Sequence, residues 1–227
     1  MIDRYQRNKN TISEAEQIIL AGKKAAVIGC GGLGAYIAEM LCRMGVGELS
    51  LVDYDVIDPG NLNRQIISHT QNIGLKKVFE LEKRLILINP DIRVKALDAK
   101  FSGENAHEIL KGADIVMDAL DTVTDRILLK EECKKYHIPL IHGAIAGLYG
   151  QVSVIFPGDN TLDKIYPDTD MKPLEKELGN PSFTPACIAS IQVAECLKVL
   201  LNKGYLLRHK LLIINLLNME FDCIDLA

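Results

Sequence analysis

Apolar positions in the first half of the chain switch between two spacings. Ala25-Ala26-Val27-Ile28 is a continuous apolar run of strand length, and Leu33, Ile37, Met40, Leu41 and Met44 then recur at helical spacing as far as Gly45. Between them stands Gly29-Cys30-Gly31-Gly32-Leu33-Gly34, so the pattern predicts strand, glycine turn and helix, with Leu49 to Val52 as the next strand. Ahead of this unit, Glu14 to Leu20 is helical, with Thr11 or Ser13 as cap, behind a polar stretch, Arg4-Tyr5-Gln6-Arg7, whose composition alone reads as a frayed, solvated terminus.

The alternation continues downstream. Lys76 and Lys77 open a helix with Val78, Leu81, Leu85 and Ile88 on one side, ending before Asn89-Pro90. Two lysines there sit against the helix dipole, which implies that at least one answers another charge. Ile92 to Ala96 reads as a strand, Gly103 to Leu110 as a short helix, Ala113 to Leu120 as a strand interrupted by Asp118, and Ile138 to Gly143 and Gln151 to Phe156 as two more. Periodicity then fails from Pro157 to Pro185 and returns in a helix from Ala186 to Lys203 closed by Gly204. Lys210 to Leu217 and Met219 to Leu226 are two strands turning near Asn218. The order predicts an α/β fold, a Rossmann-like, mostly parallel sheet with helices on both faces and antiparallel strands toward the C-terminus.

Composition narrows the function classes. A chain of 227 residues that is 48% hydrophobic can bury a substantial core, and a net charge of -4 without a basic run argues against nucleic acid as a partner. No segment approaches about twenty unbroken apolar residues, and the N-terminus lacks a signal-peptide pattern, so no membrane association and a cytoplasmic location are expected. The six cysteines form no C-x-x-C pair and read as reduced core thiols. Cys187 falls in the first turn of the predicted helix from Ala186, where the dipole would lower its pKa, although core packing accounts for it as well.

The G-x-G-x-x-G spacing of Gly29, Gly31 and Gly34 supplies a tight turn, close backbone approach and helix–strand packing, and the helix N-terminus offers free N–H groups to a phosphate. Asp53, at the end of the next strand, can accept from ribose hydroxyls. A nucleotide is implied, and the usual owner of this fingerprint is a dinucleotide, so a nicotinamide-dependent oxidoreductase enters as an alternative. Arg64, in the turn-rich loop after Asp53, reads either as a surface charge or as an anion contact. Asp121 reads either as a helix cap or as a metal or phosphate residue, with Thr122 and Thr124 equally able to cap. His142, alone in an apolar strand, reads as a satisfied core residue rather than a base.

Taken together, Arg4-Tyr5-Gln6-Arg7, the glycine turn, Gly45-Val46-Gly47, Asp53-Tyr54-Asp55, Asn61-Leu62-Asn63-Arg64-Gln65, Gly74-x-x-Lys77, Asn89-Pro90 and Leu120-Asp121 resemble the MoeB, ThiF and HesA family. The likeness runs from Arg4 to about Leu201. It implies one adenylation domain over 1–227, with an arm and helix (1–22), a nucleotide-binding half (24–145) and a carrier-binding, dimer-forming half (146–227). It implies an ATP-dependent adenylyltransferase acting on the C-terminal Gly-Gly of a ubiquitin-like sulfur carrier, in molybdopterin, tungstopterin or thiamine biosynthesis.

By the same resemblance Gly29, Gly31, Gly32 and Gly34 approach the phosphates and Asp53 holds the ribose. Asn61, Arg64 and Lys77 line the triphosphate with Thr122 nearby, Asp121 holds Mg2+, and Arg7 reaches into the partner subunit's site of a homodimer. Thr122 stands where asparagine is usual and Gly60 where serine is usual. Many relatives bind a structural zinc through two C-x-x-C pairs; this chain keeps only Cys223 near its end, so no structural zinc is expected. A non-catalytic scaffold is a third alternative, against which Arg64, Lys77 and Asp121 stand together.

Overall fold

Successive residues of the first apolar run face two different cores. In the computed structural model, which describes residues 3–168 and 175–226, that run is β1 (Lys24–Ile28). Ala25 and Val27 belong to one apolar cluster, Ala26 and Ile28 to another, as the two-residue period of a strand buried on both faces requires. The same split recurs in β4 (Ile115–Asp118), where Ile115 and Met117 join the first cluster and Val116 the second.

Six further strands complete the sheet: β2 (Glu48–Val52), β3 (Arg93–Leu97), β5 (Leu140–Ala146), β6 (Tyr149–Ile155), β7 (Lys210–Asn215) and β8 (Glu220–Asp225). Among the described residues the order is β3-β2-β1-β4-β5-β6-β7-β8, parallel through β5 and antiparallel from β6 onward. The first face is covered by α2 (Gly32–Met44), α3 (Lys77–Ile88) and α8 (Phe183–Leu201). The second is covered by α4 (Ala106–Leu110), α5 (Val123–Lys135) and α6 (Thr161–Ile165). Each fully buried large aliphatic side chain, such as Ile37, Leu41 or Leu81, contributes about 1.5–3 kcal/mol.

Local chemistry explains the ends of the elements. α1 (Glu14–Ala21) starts at Ser13 in a reciprocal capping box with Glu16, and α2 closes at Gly45 in the left-handed conformation. Two lysines tolerate the start of α3 because each is paired, Lys76 with Asp98 and Lys77 with Asp55, both at 2.8 Å. The turn after β1 is closed so tightly that a Cβ on Gly34 would lie 1.8 Å from the carbonyl oxygen of Gly29, itself at φ +97.

Several expectations need correction. The N-terminal arm is not frayed: Asp3–Asn8 is a 3-10 helix, Tyr5 is buried, and Arg4 donates to Asn89 and pairs with Asp91. β4 is shorter than Ala113 to Leu120, because Asp114 already binds the Lys24 N–H and the Lys23 ammonium, and the chain turns at Ala119. α4 is likewise shorter than predicted, starting at Ala106 after Asn105 accepts from the Ser102 N–H. α8 starts at Phe183 and carries Pro185 in its first turn, where no N–H is needed. That start moves Cys187 beyond the first turn, and burial pushes its thiol pKa up rather than down.

The excursion from Pro157 to Pro185 holds α6 and α7 (Glu175–Leu178), while residues 169–174, in the half expected to bind a carrier, lie outside the described residues. By length and composition α8 could cross a membrane, but it packs on α2, β5 and β6 as the central helix of one sheet face. Asp159 accepts from the Phe156 N–H and pairs with Arg208 at 2.8 Å, tying the end of β6 to the approach of β7.

Gly34→Ala is expected to lower folding stability by on the order of 3 kcal/mol through overpacking against Gly29. Gly32→Ala, whose Cβ would meet nothing closer than 3.5 Å, should leave the urea midpoint nearly unchanged. Equal midpoints for the two variants would contradict the packing assignment.

Candidate nucleotide site

The strand order reverses between β1 and β4, and the loops leaving their carboxyl ends part there. In open parallel sheets such a crevice is where ligands bind. It contains a cavity of about 420 Å³. α2 begins at its wall with no side-chain cap on Gly31, so the first-turn N–H groups lack intrahelical partners beside the lining residues Gly29, Gly31 and Gly32.

One strand over, Asp53 is buried and receives two backbone donors, Cys30 N–H at 2.7 Å and Asp55 N–H at 2.8 Å. Burial pushes its carboxyl pKa up, against those two hydrogen bonds and the charge of Lys77. Each oxygen keeps a second lone pair for a hydroxyl donor. The Asn61 side-chain oxygen accepts from Asp58 N–H at 3.0 Å, which leaves the amide NH2 end for a ligand. Arg64 donates to the Gly60 carbonyl and to Asn63 at 2.9 and 2.8 Å. Lys77, with a side chain only 8% exposed, brings its ammonium to the cavity against Asp55.

Four carboxylates line the cavity, and three are committed: Asp53 to backbone N–H groups, Asp55 to Lys77, and Asp125 to Lys100 at 3.2 Å. Asp121 accepts no hydrogen bond and forms no ion pair among the described residues. Thr122 explains this, since its hydroxyl caps α5 by accepting from Asp125 N–H at 3.1 Å and relieves Asp121 of that duty. Among the described residues no three His, Cys, Asp or Glu side chains cluster as a ready-made metal site, so Asp121 offers a hard divalent cation one carboxylate, with the remaining ligands left to phosphate and water.

The structure therefore brings Gly29, Gly31, Gly32, Asp53, Asn61, Arg64, Lys77 and Asp121 together around one cavity. It does not bring Gly34, Thr122 or Arg7. Gly34 packs the helix on the turn, Thr122 is the cap, and Arg7 is exposed on the arm, whose Tyr5 packs beside Gly45 at the far end of α2. Of the polar lining residues that escaped the sequence reading of the site, two are buried. Gln65 is buried with its side-chain oxygen unpartnered, and Arg126 is buried beside Asp121. The first was legible as the last residue of the Asn61–Gln65 motif; the second carried no sequence signal. His142 is a core residue, fully buried with Nδ1 2.7 Å from Asp118, and burial lowers its pKa.

The ThiF family model matches residues 5–227. SAMP-activating enzyme E1 of Haloferax volcanii is 32% identical over 228 residues, covering 98% of this chain and 84% of that protein. Sulfur carrier protein adenylyltransferase of Thermus thermophilus is 33% identical, covering 97% and 85%, and molybdopterin-synthase adenylyltransferase of Haemophilus influenzae is 33% identical, covering 91% and 86%. Among solved structures, E. coli MccB with ATP aligns with a TM-score of 0.85 at 21% identity, covering 100% of this chain and 72% of that one, which shows the shared fold.

An unfolded histidine titrates near 6.5, whereas burial keeps folded His142 neutral to lower pH. As pH falls through about 6.5 the unfolded state alone takes up this proton, so stability is lost toward acid. The melting-temperature advantage of the wild type over His142→Asn should narrow between pH 7.5 and 5.5. A constant or widening gap would contradict a buried neutral imidazole.

Proposed function

The chain belongs to the ThiF family and is an adenylyltransferase, and from that premise we propose that it transfers AMP from ATP to the C-terminal glycine carboxylate of a ubiquitin-like sulfur carrier. The carrier is MoaD-like or ThiS-like and ends in Gly-Gly, which puts the reaction in molybdopterin, tungstopterin or thiamine biosynthesis. The observation that carries this reading is the convergence of an uncapped helix N-terminus, Arg64, Lys77 and the uncommitted Asp121 on one cavity. The hydride-transfer alternative gives no role to that set and is set aside by the family.

A carboxylate is nucleophilic at neutral pH, so no general base is required. A carboxylate oxygen of the carrier forms a bond to the α-phosphorus as the bond to the bridging oxygen breaks, and pyrophosphate leaves with that electron pair. The difficulty is bringing an anion to a polyanion. The α2 N–H groups and Arg64 bind phosphate oxygens, and Lys77 turns from Asp55 to the triphosphate. Asp53 holds the ribose and Asn61 donates its amide. Asp121 would hold Mg2+, which when bound neutralises phosphate charge. Arg7 acts across a homodimer, since its own cavity lies at the other end of α2.

ATP–pyrophosphate exchange with separate MoaD-like and ThiS-like carriers tests the reaction. Exchange with one carrier is expected; none with either, in protein that binds ATP, would sink the carrier assignment. Lys77→Ala and Asp121→Ala should each reduce exchange by on the order of a hundredfold, and full activity in Asp121→Ala would remove it from the metal site. Co-expressed Arg7→Ala and Asp121→Ala subunits should recover about a quarter of wild-type activity, because half the dimers are mixed and each has one complete site. Failure of this complementation would place Arg7 outside the partner's site.

A further inference from the structure

A buried polar network runs from β5 to the cavity wall, and nothing in the proposed chemistry uses it. It centres on Leu120, the residue before Asp121. Asp118, fully buried at the end of β4, accepts the Leu120 N–H through one oxygen at 3.0 Å. Its other oxygen accepts from Nδ1 of His142 at 2.7 Å. On the far side of the imidazole, Nε2 lies 3.1 Å from the side-chain nitrogen of Gln151. An amide nitrogen can only donate, so Nε2 accepts and the ring proton sits on Nδ1.

The Leu120 carbonyl is held from the other side. Arg126 donates to it through Nε at 3.2 Å and through Nη2, while Nη1 donates to the Tyr166 hydroxyl at 2.6 Å. That hydroxyl also accepts from Gln151 at 2.8 Å, so both arms meet there. The Asp118 carbonyl is in turn taken by Gln192 at 2.9 Å. The backbone leading into Asp121 is thus gripped at N–H and C=O by side chains from β4 and α5, themselves oriented by His142, Gln151 and Tyr166.

We propose that His142, Tyr166 and Arg126 are positioning residues that fix the Leu120–Asp121 backbone, and so aim the Asp121 carboxylate at the divalent cation accompanying the nucleotide. The physical basis is that a single carboxylate on a loop binds a cation well only if its backbone is already held, since ordering it on binding opposes affinity. The bland alternative is that these groups merely satisfy one another in an apolar sheet. The two differ in what a perturbation moves.

The inference rests on the nucleotide reading of the cavity, and the experiment separates the two. Mn2+ binding to the full chain with a non-hydrolysable ATP analogue is titrated by electron paramagnetic resonance, alongside analogue binding without metal and melting temperature. Tyr166→Phe keeps the ring and removes the hydroxyl; it should weaken Mn2+ binding about tenfold while leaving metal-free analogue binding unchanged. His142→Leu should do the same, and His142→Asn, whose amide can still donate to Asp118, should restore binding toward wild type. Wild-type Mn2+ affinity in Tyr166→Phe and His142→Leu, with only their melting temperatures lowered, would overturn the positioning role while leaving the nucleotide site intact. Failure of the wild type to bind Mn2+ while it still binds the analogue would overturn the positioning role alone, and failure to bind the analogue at all would overturn both.

Discussion

The structure depends on how closely α2 approaches the turn before it. With a hydrogen in place of a side chain at Gly34, the helix starts against the Gly29 carbonyl, immediately beyond the end of β1. The strand end and the helix N-terminus therefore open into one cavity rather than two. Asp53 supports the turn from the neighbouring strand by holding the Cys30 N–H, so a residue suited to a ribose also stabilises the turn. Binding and folding share these contacts, so the fold itself sets where the helix N–H groups point.

The charges that would meet a triphosphate are held in exchangeable pairs. Lys77 rests on Asp55, and Lys100 on Asp125. Asp55 and Lys100 each keep about half of the side chain in water, so a polyanion can take the cations over without stranding a buried charge. Asp55 is half exposed and remains hydrated once Lys77 turns away. Asp121 differs because among the described residues none pairs with it, and that freedom follows from Thr122 capping α5.

Asp118 and His142 are the converse case, polar groups placed where the sheet is otherwise apolar. An unpaired carboxylate there would cost several kcal/mol, and the His142, Leu120 and Arg126 contacts offset that penalty. Such a network tolerates little rearrangement, because removing one member strands the others without water. A loop tied to it inherits that rigidity. The same physics makes β4 and β5 a fixed platform for the residues at their carboxyl ends.

Local spacing by itself determined the β1–turn–α2–β2 unit and the helical run of α1, because each depends on contacts within a few residues, and the dipole of α3 implied that at least one of its first lysines answers another charge without naming the partner. Of the site residues, Asp53 was legible from its offset to the glycine turn, whereas spacing left Arg64 and Asp121 open, and Asn61, Arg64, Lys77 and Asp121 were assigned through the ordered motifs that resemble the family. Tertiary structure alone decided which polar groups meet. The anchoring of Arg4 to Asn89, the reach of Arg126 to Leu120, and the pairing of His142 with Asp118 depend on which strand lies beside which, and strand order is set by packing both sheet faces together. No spacing along the chain encodes those neighbours, so a histidine that reads as an isolated core residue becomes one end of a chain of hydrogen bonds leading to Asp121.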